Sequence, residues 1–298
     1  MTTAVPTRSL VASDAAGTLP SAAGALPGPA GTVPRVPVPE LSGPSVTSRR
    51  PLRAVPGPIR FARYAYGPNR LGYCGPEEVQ ELFEQATAGA EDAALRSLAR
   101  QFEGAYPYLE LIARSNDIAD PLDARVVEAY WLGNGLLDRV RPSELGPSLE
   151  RRFRARLHGD GWQWLATKPE AGAVPVHAFH VLDVFPRLGL MRTGETDRAL
   201  EVMDSCRIRW GRVLERDGDW LVVSAVPLEM AEAKLRLGPP RVERIRGWID
   251  GAGFVDDVEV GDVVSIHWDW ACERLDAQRL DALRSWTLRE IGIANRTM

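Results

Sequence analysis

A turn followed by an apolar strand lies near the carboxyl end of the chain, at residues 259–268, where the sequence is EVGDVVSIHW. The Gly-Asp pair is typical of a turn, and the β-branched run behind it is typical of a strand. An earlier stretch, residues 206–215 (CRIRWGRVLE), alternates apolar and basic side chains and runs into the turn at residues 217–219. Residues 220–226 (WLVVSAV) then form the predicted returning strand. These segments predict β-structure in the last third of the chain.

Two further segments complete this region. Residues 234–238 and 242–249 are predicted as additional strands, and residues 272–291 carry apolar side chains at helical spacing. Several short strands closed by a helix favour a small barrel. We therefore predict a barrel with a terminal helix over residues 201–298.

The region upstream is predicted to be helical and is preceded by a tail. Residues 58–200 contain successive segments of helical spacing, followed by an aromatic connector, and form a predicted helical domain of unknown role. Eleven of the 23 prolines lie between Pro6 and Pro58, and no aromatic residue precedes Phe61. Small side chains bury too little apolar area to offset chain entropy, so residues 1–57 are predicted to be disordered. The predicted fold class is α+β and multidomain.

Composition and charge exclude several classes of protein. The net charge is 36 − 40 = −4, whereas a general nucleic-acid binder is normally basic. No segment approaches the roughly 18 apolar residues of a membrane span, and residues 1–6 lack the pattern of an export signal. Three cysteines are too few for a disulfide framework and fit a reducing cytoplasm. We expect a cytoplasmic protein that binds neither nucleic acid nor membrane.

Three residues outside the predicted barrel are candidates for chemistry. His177 and His180 have the spacing that brings two rings to one face of a helix, where they could bind one metal ion. The alternative is a pair of histidines hydrogen-bonded within an aromatic core. Cys74 lies in a turn before a predicted helix, whose amino terminus would favour a reactive thiolate. The alternative for Cys74 is a buried, inert cysteine.

The predicted barrel resembles the nickel–iron hydrogenase formation chaperones, the HypC/HupF family. The spacing of Cys206, Gly211 and Val213 is similar to that family's opening, which reads Met-Cys, a short apolar run, Pro-Gly and then Val. Residues 260–271 resemble the family's Val-Gly-Asp-Tyr-Val-Leu-Val-His-x-Gly-Phe-Ala, and the two segments stand in the family's order. Trp210 stands where the family has Pro, and Cys206 is internal.

The resemblance implies a fold and a function. Members of the family are OB-like barrels with a terminal helix that bind HypD or the immature hydrogenase large subunit and help to deliver an iron centre. Their cysteine and histidine correspond to Cys206 and His267, which would hold iron transiently. Cys272 is a secondary candidate because it follows His267 by five residues. The leading expectation is therefore an accessory protein or chaperone in hydrogenase maturation, rather than an enzyme.

Two alternatives stay open. One is a metal-binding protein or enzyme that uses His177, His180 and cysteines, and the other is a non-catalytic interaction protein with two domains. The helical part also faintly resembles an uncharacterised actinobacterial family, through residues 64–69 (YAYGPN) and 73–76 (YCGP). The sequence contains no clear Ser-His-Asp arrangement, phosphate loop or paired-carboxylate motif, so a hydrolase or kinase is not expected.

Overall fold

The fold was obtained as a computed structural model, which describes residues 51–89, 93–157, 159–188 and 196–296. Residues 1–50 of the predicted disordered tail lie outside the described residues. Within the described ranges a helical region is followed by a β-barrel and a carboxy-terminal helix, which confirms the predicted α+β class. No helix in these ranges is long and apolar enough to cross a membrane.

The described helices of the helical region lie between residues 57 and 206. Its α-helices are α1 (Gly57–Arg70), α2 (Val79–Ala88), α3 (Ala93–Arg100), α4 (Tyr106–Ser115), α5 (Ala124–Trp131), α6 (Pro142–Phe153), α7 (Gly161–Ala166), α8 (His177–Phe179), α9 (Phe185–Leu188) and α10 (Thr196–Cys206). A 3-10 turn covers Leu137–Arg139, and a π-helix covers His180–Val184. Helix α5 begins where the Asp123 side chain accepts a hydrogen bond from the backbone N–H of Arg125, a standard amino-terminal cap.

The carboxy-terminal region contains a closed five-stranded barrel in the order β1-β2-β5-β9-β8. Its elements are β1 (Arg209–Asp217), β2 (Trp220–Ala225), β3 (Leu228–Ala231), β4 (Lys234–Leu237), β5 (Arg241–Arg246), β6 (Trp248–Ile249), β7 (Ala252–Gly253), β8 (Val263–His267), β9 (Trp270–Leu275) and α11 (Ala277–Arg296). Strands β5 and β9 pair in parallel, whereas the other barrel pairs are antiparallel. Strands β3 and β4 form a separate hairpin, and β6 and β7 form another. The barrel is present, and its OB-like character stays a prediction.

Helix α1 joins the helical region to the barrel. Nearly all of its side chains are buried, and the Tyr64 hydroxyl lies 2.8 Å from both Ser265 Oγ on β8 and Glu273 Oε1 on β9. The ring of Tyr66 packs edge-on against Trp270, with ring centroids 4.9 Å apart. A Cβ atom at Gly67 would lie 2.6 Å from the carbonyl oxygen of His267, so only glycine permits this close approach. One hydrophobic core therefore continues from the helices into the barrel.

The boundaries of two predicted elements differ from the structure. The helix predicted from residue 272 begins at Ala277, because residues 270–275 form β9, which pairs with β8 and β5. Asp276 is the signal for the true start, since its carboxylate accepts a hydrogen bond from the backbone N–H of Arg279 at 2.8 Å. The period-two pattern from residue 206 onwards begins inside α10, and the strand starts at Arg209.

Candidate metal centre

His267 is the last residue of β8, and its imidazole is buried against α1. Its Nδ1 lies 2.6 Å from the backbone carbonyl oxygen of Tyr64. A carbonyl oxygen only accepts, so Nδ1 carries the ring proton and Nε2 carries the lone pair. Nε2 is buried and has no hydrogen-bond partner among the described residues. A backbone carbonyl on one nitrogen is a common way of orienting a histidine whose other nitrogen binds metal.

His177 is the first residue of α8, and its imidazole approaches that of His267 from the helical region. Its Nε2 lies 2.9 Å from the carbonyl oxygen of Cys206, and its Nδ1 lies 3.2 Å from the hydroxyl of Tyr130. Nε2 therefore donates to the carbonyl, and Nδ1 accepts from the hydroxyl. The rings of His177 and His267 lie with centroids 5.0 Å apart at an interplanar angle of 75°. The two imidazoles thus meet although they come from different parts of the fold.

Cys206 ends α10 and supplies a thiol to this cluster. One nitrogen of His177, one nitrogen of His267 and the Sγ of Cys206 all lie within 4.8 Å of one another. Cys206 is half-buried, whereas both histidines are buried. The backbone N–H of Trp268 donates to the carbonyl oxygen of Ser205 at 2.7 Å, which ties the end of α10 to the end of β8. This contact brings the thiol next to His267.

The protonation states of the three groups follow from burial. Burial lowers the pKa of His177 to about 4. Burial, followed by the neighbouring His177, lowers the pKa of His267 well below its ordinary value. Both imidazoles are therefore neutral near pH 7. The lone pair on Nε2 of His267 is free, whereas the lone pair on Nδ1 of His177 accepts the hydrogen bond from Tyr130. Burial raises the pKa of the Cys206 thiol, Cys74 raises it further and Trp268 lowers it, so the thiol must lose a proton to become a ligand.

An aromatic layer surrounds the imidazoles. The ring of Trp131 on α5 lies with its centroid 4.7 Å from that of His177 and 5.6 Å from that of His267. The ring of Tyr64 stacks on Trp131 at 5.4 Å. These rings cover one side of the two imidazoles and exclude water from it. The layer holds both rings in fixed orientations.

His180 does not join the cluster with His177. Its Nδ1 lies 3.3 Å from the hydroxyl of Tyr108 on α4, and its ring packs near Phe153. The shared face predicted for the two histidines assumed one continuous α-helix, but α8 ends at Phe179 and a π-helix begins at His180. His180 therefore occupies the position described by the alternative, a histidine hydrogen-bonded within an aromatic core.

The remaining two cysteines occupy different surroundings. Cys272 is buried in β9, and its thiol lies 3.6 Å from the carbonyl oxygen of Trp270, outside the cluster. Cys74 is exposed in the turn after α1. Its neighbour Tyr73 packs on the ring of Trp268 with centroids 4.1 Å apart, and the Cys74 thiol acts on the pKa of Cys206. Cys74 thus lies near the site without belonging to the group of three.

Sequence reasoning identified all three donors but did not join them. The resemblance pairs Cys206 with His267, and the alternative groups His177 with His180 and with cysteines that it does not specify. Tyr130, which orients His177, was not singled out as a functional residue. Chain separations of 29 residues between His177 and Cys206, and 267 − 206 = 61 between Cys206 and His267, match no short metal-binding motif. No local signal in the sequence indicates this convergence.

The donor set suits a borderline-soft metal ion. One thiolate and two imidazoles bind zinc, iron(II), cobalt(II) or nickel(II), and a three-donor site leaves a fourth position open. Bonds of roughly 2.0–2.3 Å in a tetrahedron need donor atoms about 3.3–3.8 Å apart. Atoms that lie within 4.8 Å of one another need to approach by about 1.0–1.5 Å at most. The Nε2 of His267 has no hydrogen bond to break among the described residues, so its lone pair is directly available to a metal ion.

Comparison with known proteins assigns a family and no activity. A family model described as "Family of unknown function (DUF6390)" matches residues 53–298. No curated protein and no solved structure matches the chain. Any function must therefore be argued from the site itself.

Proposed function

The chain belongs to the DUF6390 family, whose function is unknown, and from this starting point we propose that it is a metal-handling accessory protein. It holds a metal ion, or a metal-containing group, at His177, Cys206 and His267. The observation that carries this proposal is the convergence of one thiol and two imidazoles, from α10, α8 and β8, to within 4.8 Å. Both imidazoles are neutral near pH 7. His267 offers the free lone pair of Nε2, and His177 must give up one of its two hydrogen bonds to bind a cation.

The chemistry of the site favours holding and release over permanent storage. Three protein donors leave one coordination position for a ligand from a partner or from the cargo. Cys206 is half-buried as a residue, whereas both histidines are buried, so the cysteine is the member of the cluster nearest to solvent. Binding also requires the thiol to lose a proton, and protonation of Cys206 reverses the process. A group held in this way is released when a partner offers a competing thiolate.

The resemblance to the HypC/HupF family gives this activity a setting. The family's cysteine and histidine correspond to Cys206 and His267, which are two of the three donors. We therefore propose that the cargo is iron or an iron-containing group for nickel–iron hydrogenase, and that the barrel docks HypD or the immature large subunit in the cytoplasm. His177, which comes from the helical region, adds a third donor beyond this resemblance.

Metal analysis with matched variants tests the site. We expect the full-length protein to bind about one equivalent of cobalt(II) or zinc, with a charge-transfer absorption from the cobalt(II)–thiolate bond. Cys206→Ser removes the thiolate absorption, and His177→Gln and His267→Gln weaken binding by about tenfold or more. His180→Gln and Cys272→Ser are the matched controls, because half-buried His180 and buried Cys272 both lie outside the cluster. Equal losses in the controls and the cluster variants would contradict the site.

Capture of partner proteins tests the proposed role in hydrogenase maturation. Tagged protein, with and without iron(II), is incubated with HypD and with hydrogenase large-subunit precursor, and Cys206→Ser serves as the variant. We expect capture of at least one of them by the wild-type protein and a weaker complex with the variant. If metal binds with the expected donors and neither protein is captured, the proposed role in hydrogenase maturation is wrong, whereas the proposed metal site is supported. A zinc ion that stays stoichiometric through purification and chelator treatment would instead favour a resident metal, as in a zinc enzyme.

A further inference from the structure

A second site is indicated by a cavity that none of the three donor residues lines. It has a volume of about 330 Å³ and opens between the segment that precedes α1, α1 itself and the barrel. This volume lies at the lower end of the range for small-molecule sites. One part of the wall is apolar, with Val55, Ile59 and Phe254. The other part carries charged side chains, and their balance indicates what the cavity binds.

Most of the charges in and behind the wall are already neutralised. The ion pairs are Arg274–Asp257 at 3.0 Å, Arg279–Glu128 at 2.9 Å and Arg60–Glu273 at 3.3 Å. Asp256 accepts a hydrogen bond from the indole N–H of Trp248 at 3.1 Å. Asp257 and Glu273 are therefore paired with arginines, and Asp256 keeps its negative charge. Burial lowers the pKa of Arg63, whereas Glu273 and Asp256 raise it. Among the described residues two arginines of the wall have no ion pair, so the cations outnumber the carboxylates by one.

Arg63 and Arg53 are those cations. Arg63 lies on α1 and is half-buried, and its Nε is buried without a hydrogen-bond partner. Within the described residues neither Arg63 nor Arg53 forms an ion pair. Arg63 lies 6.0 Å from the ring centroid of Phe254, at the junction of the charged and apolar parts of the wall. A guanidinium stays charged when buried and is most stable when it donates to a carboxylate or phosphate.

We propose that this cavity binds a small organic anion with an apolar body, whose carboxylate or phosphate group pairs with Arg63. The apolar body packs against Ile59 and Phe254, and Arg53 adds a second positive charge at the entrance. The planar donors of Arg63 match the two oxygens of such a group. The site is separate from the candidate metal centre, so the two proposals stand or fall independently.

Calorimetric titration of the full-length protein tests this site with three probes of similar size. They are benzoate, phenyl phosphate and the neutral benzyl alcohol. We expect saturable binding of one equivalent of at least one anion and no binding of the alcohol. The tighter anion identifies the preferred group, and a parallel titration with inorganic phosphate tests whether the apolar body is needed. Binding of the alcohol as tightly as of the anions would overturn the proposal.

Variants connect the binding to the guanidinium. Arg63→Gln is expected to weaken the better anion by about tenfold or more, because a charge-assisted hydrogen bond is lost, and Arg63→Lys is expected to be intermediate. Arg53→Gln is a second variant. Arg53 is exposed, so the substitution is expected to leave folding unchanged and to weaken anion binding less than Arg63→Gln does. Arg216→Gln is the matched control, since this exposed arginine lies over Trp248 and does not line the cavity. Unchanged affinity in both Arg63→Gln and Arg53→Gln, or no binding of any anion by the wild-type protein, would disprove the site.

Discussion

Lowering the pH from about 7.5 to about 5.5 is expected to weaken metal binding by about a hundredfold, through a single proton. The pKa of His177 is about 4 and that of His267 is also low, so both imidazoles stay neutral over this range. Only the Cys206 thiol, whose pKa is raised by burial, must give up a proton on binding. One proton per metal changes the dissociation constant tenfold per pH unit, which is about 2.7 kcal/mol over two units. Affinity therefore rises with pH, because the thiolate is the form that binds.

The assay is a competition for zinc between the protein and a chromophoric chelator at constant ionic strength. The slope of log affinity against pH is expected to be about one for the wild-type protein and close to zero for Cys206→Ser. Cys272→Ser, the matched control, keeps a slope of one. If the two histidines were solvated, with an ordinary pKa near 6.5, as many as two further protons would be released on binding below that pH. The slope of log affinity against pH would then rise toward about three. A slope of about three below pH 6.5 would refute the reasoning about burial, and a slope of zero in the wild-type protein would remove Cys206 from the site.

Three substitutions test the junction between the helices and the barrel, each by urea unfolding. Tyr64→Phe leaves buried Glu273 without one hydrogen bond and is expected to lower the free energy of unfolding by about 1–3 kcal/mol; no change would mean that the bond contributes nothing. Trp270→Ala removes a fully buried ring and is expected to cost about 3–5 kcal/mol, and a loss below 1 kcal/mol would contradict its place in the core. Gly67→Ala gains about 1 kcal/mol of helix propensity, but its Cβ would lie 2.6 Å from the carbonyl oxygen of His267. We therefore expect a net loss of stability and weaker metal binding. A stabilised protein with unchanged affinity would show that α1 has room to move.

The architecture could be predicted from the sequence wherever the signal was local. The strand Trp220–Ala225 and the strand Val263–His267 followed from β-branched runs next to Gly-Asp turns. Strand β9 was missed because its residues have a spacing compatible with a helix, and only its pairing with β8 and β5 makes it a strand. Local pattern and long-range pairing disagreed there, and the pairing prevailed.

The candidate site was only partly predictable, because its geometry depends on packing between distant segments. The closeness of Cys206 and His267 was expected from the resemblance alone. His177 joins them because α1 packs closely on the barrel through Gly67, and because Tyr130 and Trp131 hold the ring of His177. The spacing of these residues in the sequence does not predict any of these contacts.

The wide separation of the three donors along the chain determines when a metal ion can be acquired. In a short motif the ion gathers its ligands from an unfolded chain, so that loading and folding occur together. Here loops of 29 and 61 residues must first be closed, and the entropic cost of closure grows with loop length. The low pKa of His177 also exists only after Trp131 and its neighbours have packed around the ring. We therefore expect a metal ion to load at the proposed site after the chain has folded.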